Sequence, residues 1–189
     1  MPLRPTYPLA TRRLRLRPLG EGDLDALLDY HSSPEVHRYL PMGPMDATIV
    51  LERLTTGPWS WTTLEDQGDA IVLGVETIDT GELVGDVMLA WTSATQQCGE
   101  IGYVFNPRHE GRGFATEATN ELLRLGFHEL GLHRVIARVV AGNTPSLALA
   151  ARLGMRREAH LVQSWGHDGG WVDEIHLAIL SSEWEARNE

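Results

Sequence analysis

The segment Asn106-Pro107-Arg108-His109-Glu110-Gly111-Arg112-Gly113-Phe114-Ala115-Thr116 follows a β-branched apolar run and precedes a helical pattern. In such a place successive backbone N–H groups are free, and free N–H groups at a helix start cradle anions. Gly111 and Gly113 permit tight turns, Ala115 lets a ligand approach the helix start, and Arg108 and Arg112 add positive charge. A pyrophosphate is the guest that suits this arrangement, although glycine count alone fits a plain strand-to-helix turn equally well. Other phosphate and metal motifs fail on spacing. A P-loop needs lysine after its last glycine, where Phe114 stands; a dinucleotide fold needs a small residue at Thr116 and an acid about twenty residues on; a zinc-protease helix needs histidine where Gly113 stands.

The elements that must position this loop are short and punctuated by glycine and proline, without repeats or a dividing linker. Leu14 and Leu16 alternate with arginines and predict a strand over 12–17. Asp23 is read as the cap of a helix bearing Leu24, Leu27, Leu28 and His31, Ser33-Pro34 as a second helix start and Asp46 as the cap of a third. Strands follow over 70–78, 83–91 and 100–105, the first two joined by the hairpin turn Asp79-Thr80-Gly81-Glu82. The loop then leads to a helix that stops at Gly131. A strand over 134–140, a helix capped by Asn143 and ended at Gly154, and a hairpin of strands 156–165 and 171–180 joined through 166–170 complete the order. This alternation predicts one α/β unit spanning 1–189, with a central mixed sheet and helices on both faces.

Length and charge narrow the function. The 189 residues suffice for one cored domain, and no stretch reaches the apolar length that spans a bilayer. Met1 to Arg17 carries arginines with no apolar core, which does not read as a secretory signal, and Cys98 as sole cysteine suits a reducing compartment; a cytoplasmic location is expected. The net charge of −10 opposes binding to nucleic acid and would steer a cationic ligand such as an amine. The histidines show no helix-spaced ligand pair, so no metal is expected and they are read as ordinary surface or core side chains.

Four ordered blocks resemble the GNAT superfamily of N-acyltransferases, in particular its RimJ/RimL-type ribosomal-protein acetyltransferase branch. They are Arg13 to Leu19, Glu100-Ile101-Gly102-Tyr103, Gly111 to Ala118, and Asn143 through Ser146 to Leu153-Gly154-Met155; Asp173 and Glu183-Trp184 also look like that branch. The resemblance implies a mostly antiparallel twisted sheet with a splayed parallel strand pair that binds acetyl-CoA. It puts the pantetheine along Val104 and Phe105, the pyrophosphate at Gly111 to Thr116, and makes Asn143 and Ser146 cofactor contacts. Two positions depart from the family's pattern. Glu110 stands where glutamine, arginine or an aromatic is usual, and Ala150 stands where many members carry a tyrosine acid.

The implied reaction is direct attack of a primary amine on the thioester in a ternary complex. The amine is a protein N-terminus, a lysine or a small molecule, and a homodimer is left open. Presenting an alkyl amine neutral at pH 7 costs about 4.6 kcal/mol, against about 1 kcal/mol for an α-amine, so a base or water relay is needed. Glu100, at the start of the strand leading to the loop, is the candidate base, against the bland reading of a solvated strand-end carboxylate. Ser146 is the candidate to replace the missing tyrosine, or simply a first-turn serine bonded to backbone. Trp59 and Trp61, read as sharing one face before the sheet, are candidates to wall the acceptor groove, with core packing as the alternative. A non-catalytic acyl-CoA sensor is the alternative from another class.

Overall fold

A computed structural model describes residues 2–167 and 169–188. Eight strands form one sheet in the order β1-β2-β3-β4-β5-β6-β8-β7. They are β1 (Leu9–Ala10), β2 (Leu14–Pro18), β3 (Ala70–Thr77), β4 (Leu83–Ser93), β5 (Cys98–Phe105), β6 (Arg134–Val140), β7 (Arg156–His167) and β8 (Gly170–Leu180). Every neighbouring pair is antiparallel except β5 and β6, which are parallel because a helix crosses between them. The helices are α1 (Leu24–His31), α2 (Pro34–His37), α3 (Ala47–Thr55), α4 (Phe114–Arg124), α5 (Thr144–Arg152) and α6 (Ser181–Asn188).

Strand alternation sorts the apolar side chains onto two faces. Leu14, Leu16, Ile71, Leu73, Val87, Leu89, Ile101 and Val135 point toward α4 and α5, where Phe114, Ala118, Leu122 and Leu149 meet them. On the opposite face Val72 and Leu83 pack beneath α1 and α3 with Leu27, Tyr30, Val50, Leu54 and Trp59. The mixed sheet covered on both faces agrees with the sequence expectation. No helix among the described residues is long and apolar enough to cross a membrane.

Several local expectations change. Asp46 caps α3 by accepting from the Ile49 N–H at 2.9 Å, but Asp23 does not cap α1. Its carboxylate instead takes both arms of Arg17 at 2.8 and 2.9 Å and the Gly20 N–H at 2.9 Å. Burial works to raise this carboxyl, and the Arg17 and Gly20 bonds outweigh it and hold Asp23 below the usual carboxylate range. The α4 pattern continues through a wider turn over Leu125–Glu129 before the stop at Gly131, which is left-handed at φ 72°. The sequence reading omits β1 and α6. In the expected connection 166–170, Asp168 lies outside the described residues, as do Met1 and Glu189.

Candidate active site

β5 and β6 pair through Cys98↔Arg134, Gly99↔Val135 and Glu100↔Ile136. Beyond that point both strands continue, β5 to Phe105 alongside β4 and β6 to Val140 alongside β8, without pairing to each other. A parallel pair that parts while each member keeps its outer neighbour leaves inward-facing backbone donors and acceptors for a bound chain. At this opening Phe105 turns its backbone to the unpaired edge while Val104 turns its own to Asp86 of β4, and their side chains pack into the two opposite cores. Gly85 makes room for them: a Cβ there would meet Phe105 Cδ1 and the Val104 carbonyl oxygen at 2.6 Å.

The loop below the opening is built on Asn106. Its buried amide accepts from the Arg108 N–H at 3.1 Å and donates to Asp29 at 2.7 Å, so Asp29 ties the loop to α1. Gly111 and Gly113 adopt left-handed φ values of 73° and 78°, and α4 starts immediately after. A Cβ at Gly111 would meet nothing within 4 Å, so the space beside it is open. The first N–H groups of α4 have no intrahelical acceptor and the helix dipole adds positive potential, which together fit a pyrophosphate. Around this start lie Arg112 and Arg13, whose guanidinium groups stack on Phe114 at 4.5 and 4.9 Å, and Arg152, which donates to Thr116 Oγ1 at 3.3 Å. Arg108 is not free for the loop, because Asp29 takes its guanidinium at 2.7 Å. Arg13 and Arg152 come from elements distant in sequence and give no local signal. Glu110 is exposed, and its N–H bonds to Pro107 rather than lining the cradle.

Glu117 locks this region to the N-terminal strands, accepting from Thr11 Oγ1 at 2.6 Å, Arg13 N–H at 2.8 Å and Arg13 Nε at 2.7 Å. Burial works to raise this carboxyl, but those bonds prevail and hold it below the usual range.

Glu100 faces the α1–α3 side at the last paired register of the opening, and its Oε1 accepts from Arg138 Nε at 2.9 Å. The Glu100 side chain is 16% exposed, so it is a half-sheltered ion pair and not a freely solvated strand end. Bonding to Glu100 raises the Arg138 guanidinium pKa further. Ser146 stands at the start of α5, its N–H held by the Asn143 side chain at 3.2 Å and its carbonyl accepting from Tyr103 Oη at 3.2 Å. Tyr103 thus bridges β5 to α5 across the opening, and burial raises its phenol. Ala150 is buried and only packs.

The two tryptophans do not share one face. Trp59 lies in a single turn over Pro58–Ser60, 5% exposed and 4.9 Å from the His31 ring, whereas Trp61 is 45% exposed. Proline at the turn's first position breaks the strand alternation on which the shared face depended. Sequence reasoning also missed a buried polar cluster of Tyr30, His31, His37 and Asp86. Its one signal is an aspartate inside the apolar run of β4, a residue that is buried only when partnered.

The chain matches the model of the acetyltransferase (GNAT) domain over residues 13–156. It is 32% identical over 180 residues to the uncharacterized N-acetyltransferase YnaD of Bacillus subtilis, covering 93% of this chain and 98% of that one. Among solved structures, a GNAT-family acetyltransferase from Bacillus anthracis superposes with a TM-score of 0.81 at 30% identity, covering 94% and 99% of the two chains. A spermidine N-acetyltransferase from Vibrio cholerae, in complex with CoA and spermine, superposes with a TM-score of 0.78 at 26% identity, covering 93% and 99%. The chain belongs to the acetyltransferase (GNAT) family.

Proposed function

We propose that the chain moves an acetyl group from acetyl-CoA to a primary amine by direct attack in a ternary complex, with the thioester in the β5–β6 opening and the amine arriving from the α1–α3 side. The observation that carries this reading is the end of β5–β6 pairing at Glu100↔Ile136, directly above a left-handed glycine loop that opens α4. The neighbour with CoA and spermine supports both halves of the reading, a coenzyme A donor and an amine acceptor.

In this arrangement the N–H groups of Phe114, Ala115 and Thr116 hold the pyrophosphate, with Arg112 and Arg152 neutralising its charge. The β5 edge at Val104 and Phe105 holds the pantetheine, the Phe105 backbone being the one turned to it, with Asn143 and Ser146 at its other side. Glu100 accepts the amine proton through water, using the oxygen that Arg138 does not take. A backbone N–H of the unpaired β5 edge stabilises negative charge on the thioester oxygen. The leaving thiol has a pKa of roughly 8.5, so water or the Ser146 hydroxyl is donor enough in place of the absent tyrosine. Trp61 is exposed for contact with the acceptor; Trp59 lies in the core beside His31.

The test is mass spectrometry of a panel of α-amine peptides, lysine peptides and polyamines incubated with acetyl-CoA and the protein. Mass gain of one acetyl on at least one amine class, dependent on the protein, is the expected result; cofactor binding without acetylation of any amine would leave a binding module.

A further inference from the structure

On the α1–α3 face a chain of hydrogen bonds runs from the sheet to the loop after α2. Asp86 Oδ2 lies 2.8 Å from Tyr30 Oη and 2.8 Å from His31 Nε2. His31 Nδ1 lies 3.2 Å from His37 Nε2, and His37 Nδ1 lies 2.9 Å from the Met42 carbonyl oxygen. Both histidines are 2% exposed, so water does not substitute for a missing partner.

The two ends of this chain are acceptors, a carboxylate at one and a carbonyl at the other. Each neutral imidazole carries one N–H and one lone pair. If His31 protonates Nε2 toward Asp86 and His37 protonates Nδ1 toward Met42, two lone pairs face each other at the His31–His37 contact. Three hydrogen bonds need three protons and two neutral rings supply two. The geometry closes only with one further proton in the Asp86–His31–His37 group.

The loop that this chain anchors, 38–45, has a place at the site. It begins at His37, returns through the Met45 N–H to the His31 carbonyl at 2.8 Å, and forms one wall of a cleft of about 360 Å³ whose other wall includes Gly166 of the β7–β8 hairpin. Tyr39 of the loop packs on Gly142, beside the Asn143 cap.

We propose that Asp86, His31 and His37 share one extra proton and act as positioning residues that hold loop 38–45 as a wall of the amine's entry cleft. The part concerning the amine rests on the acetyl-transfer reading; the proton and the loop do not. His31 is the ring in contact with the Asp86 carboxylate, at 2.8 Å, so the extra proton sits on the Asp86–His31 side; burial, against the pull of the Met42 carbonyl, lowers the His37 pKa in the same sense. The other groups facing the cluster are Tyr30, whose hydroxyl donates to Asp86, and Arg53 on α3, stacked over Trp59 at 5.6 Å. The charge of Asp23 adds to the upward pull on the Tyr30 phenol, after burial and Asp86. As pH rises and the proton leaves, the His31–His37 bond is lost and the loop loosens.

The experiment is ¹⁵N-histidine NMR on the whole protein between about pH 5.5 and about pH 9, with hydrogen exchange of the loop 38–45 amides over the same range. His31 is expected to show both ring nitrogens protonated at the acid end. Loss of that proton should lower the protection of the loop amides, taken relative to the unstructured exchange rate at each pH, by about tenfold, the scale of one buried hydrogen bond. Asp86→Asn, which removes the counter-charge, should give the fast-exchanging loop at every pH, and the KM for the amine should rise by about tenfold in parallel. Two neutral histidines beside an ionised Asp86 throughout, the carboxyl read by ¹³C NMR, or loop protection indifferent to the loss of the proton, would overturn the proton count. A loosened loop with unchanged KM would overturn the positioning role. The NMR and exchange measurements need no turnover, so they fail separately from the acetyl-transfer reading.

Discussion

Arg138 Nε donates to Glu100 Oε1 at 2.9 Å, on the strand face where β5 and β6 have just parted. Because Arg138 stands two residues past the last paired position of β6, this ion pair spans the mouth of the opening. It fixes the carboxylate's direction and leaves Oε2 for a water. Glu100→Gln should therefore lower turnover about a hundredfold near neutral pH, with much of the loss recovered as solvent deprotonates the amine. An α-amine acceptor should recover by about pH 8, and a lysine or polyamine only near about pH 10. Arg138→Gln keeps the carboxylate and should cost less. Equal losses in the two variants, or a defect confined to KM, would reduce Glu100 to holding its partner or binding a cation.

Gly113→Val should abolish CoA binding. At φ 78° a β-branched residue is strained by about 1–2 kcal/mol, and its Cβ would come within 3.4 Å of the Arg13 guanidinium that stacks on Phe114. Gly111→Ala, at φ 73° with open space around it, carries the strain without the contact and serves as control. Calorimetry with CoA on folded variants checks both. Unchanged affinity in Gly113→Val would remove the loop from the site.

Ser146→Ala should lower turnover by no more than about tenfold, because the backbone of Ser146, not its hydroxyl, makes the contacts to Asn143 and Tyr103. Tyr103→Phe should raise the KM for acetyl-CoA by loosening that bridge. Single-turnover rates separate the effects; a loss of several thousandfold in Ser146→Ala would make it the principal proton donor.

Glu117→Gln should destabilise the fold by about 1–3 kcal/mol, since three bonds tie it to Thr11 and Arg13. Its folded pKa lies below the unfolded value, so this stability is present above the unfolded carboxylate range and lost as pH falls through the folded value. Thermal unfolding from about pH 7 to about pH 3 should show that acid loss in the wild type and a smaller one in Glu117→Gln. Parallel curves would refute the assignment.

Much of this architecture is legible in the chain itself. Alternation in β2, β-branched runs in β3 to β6 and the caps at Asp46 and Asn143 are local signals, and each corresponds to an observed element. The glycine pair at 111 and 113 announces a left-handed loop because only glycine adopts that conformation freely. What escapes is decided by partners far away in sequence. Arg108 looks available until Asp29 claims it, Glu100 looks solvated until Arg138 meets it, and Asp23 looks like a cap until Arg17 takes its carboxylate. The buried Asp86–His31–His37 chain joins residues from α1, α2 and β4, and no single segment displays it.

The most direct test of the central claim is a CoA titration of the ¹⁵N-labelled protein followed by backbone NMR. The largest shifts should fall on Val104, Phe105 and the 111–116 amides, on the stretch of β5 that β6 has left and at the start of α4. Binding that moves amides elsewhere and leaves those unchanged would contradict the placement of the cofactor between β5 and β6.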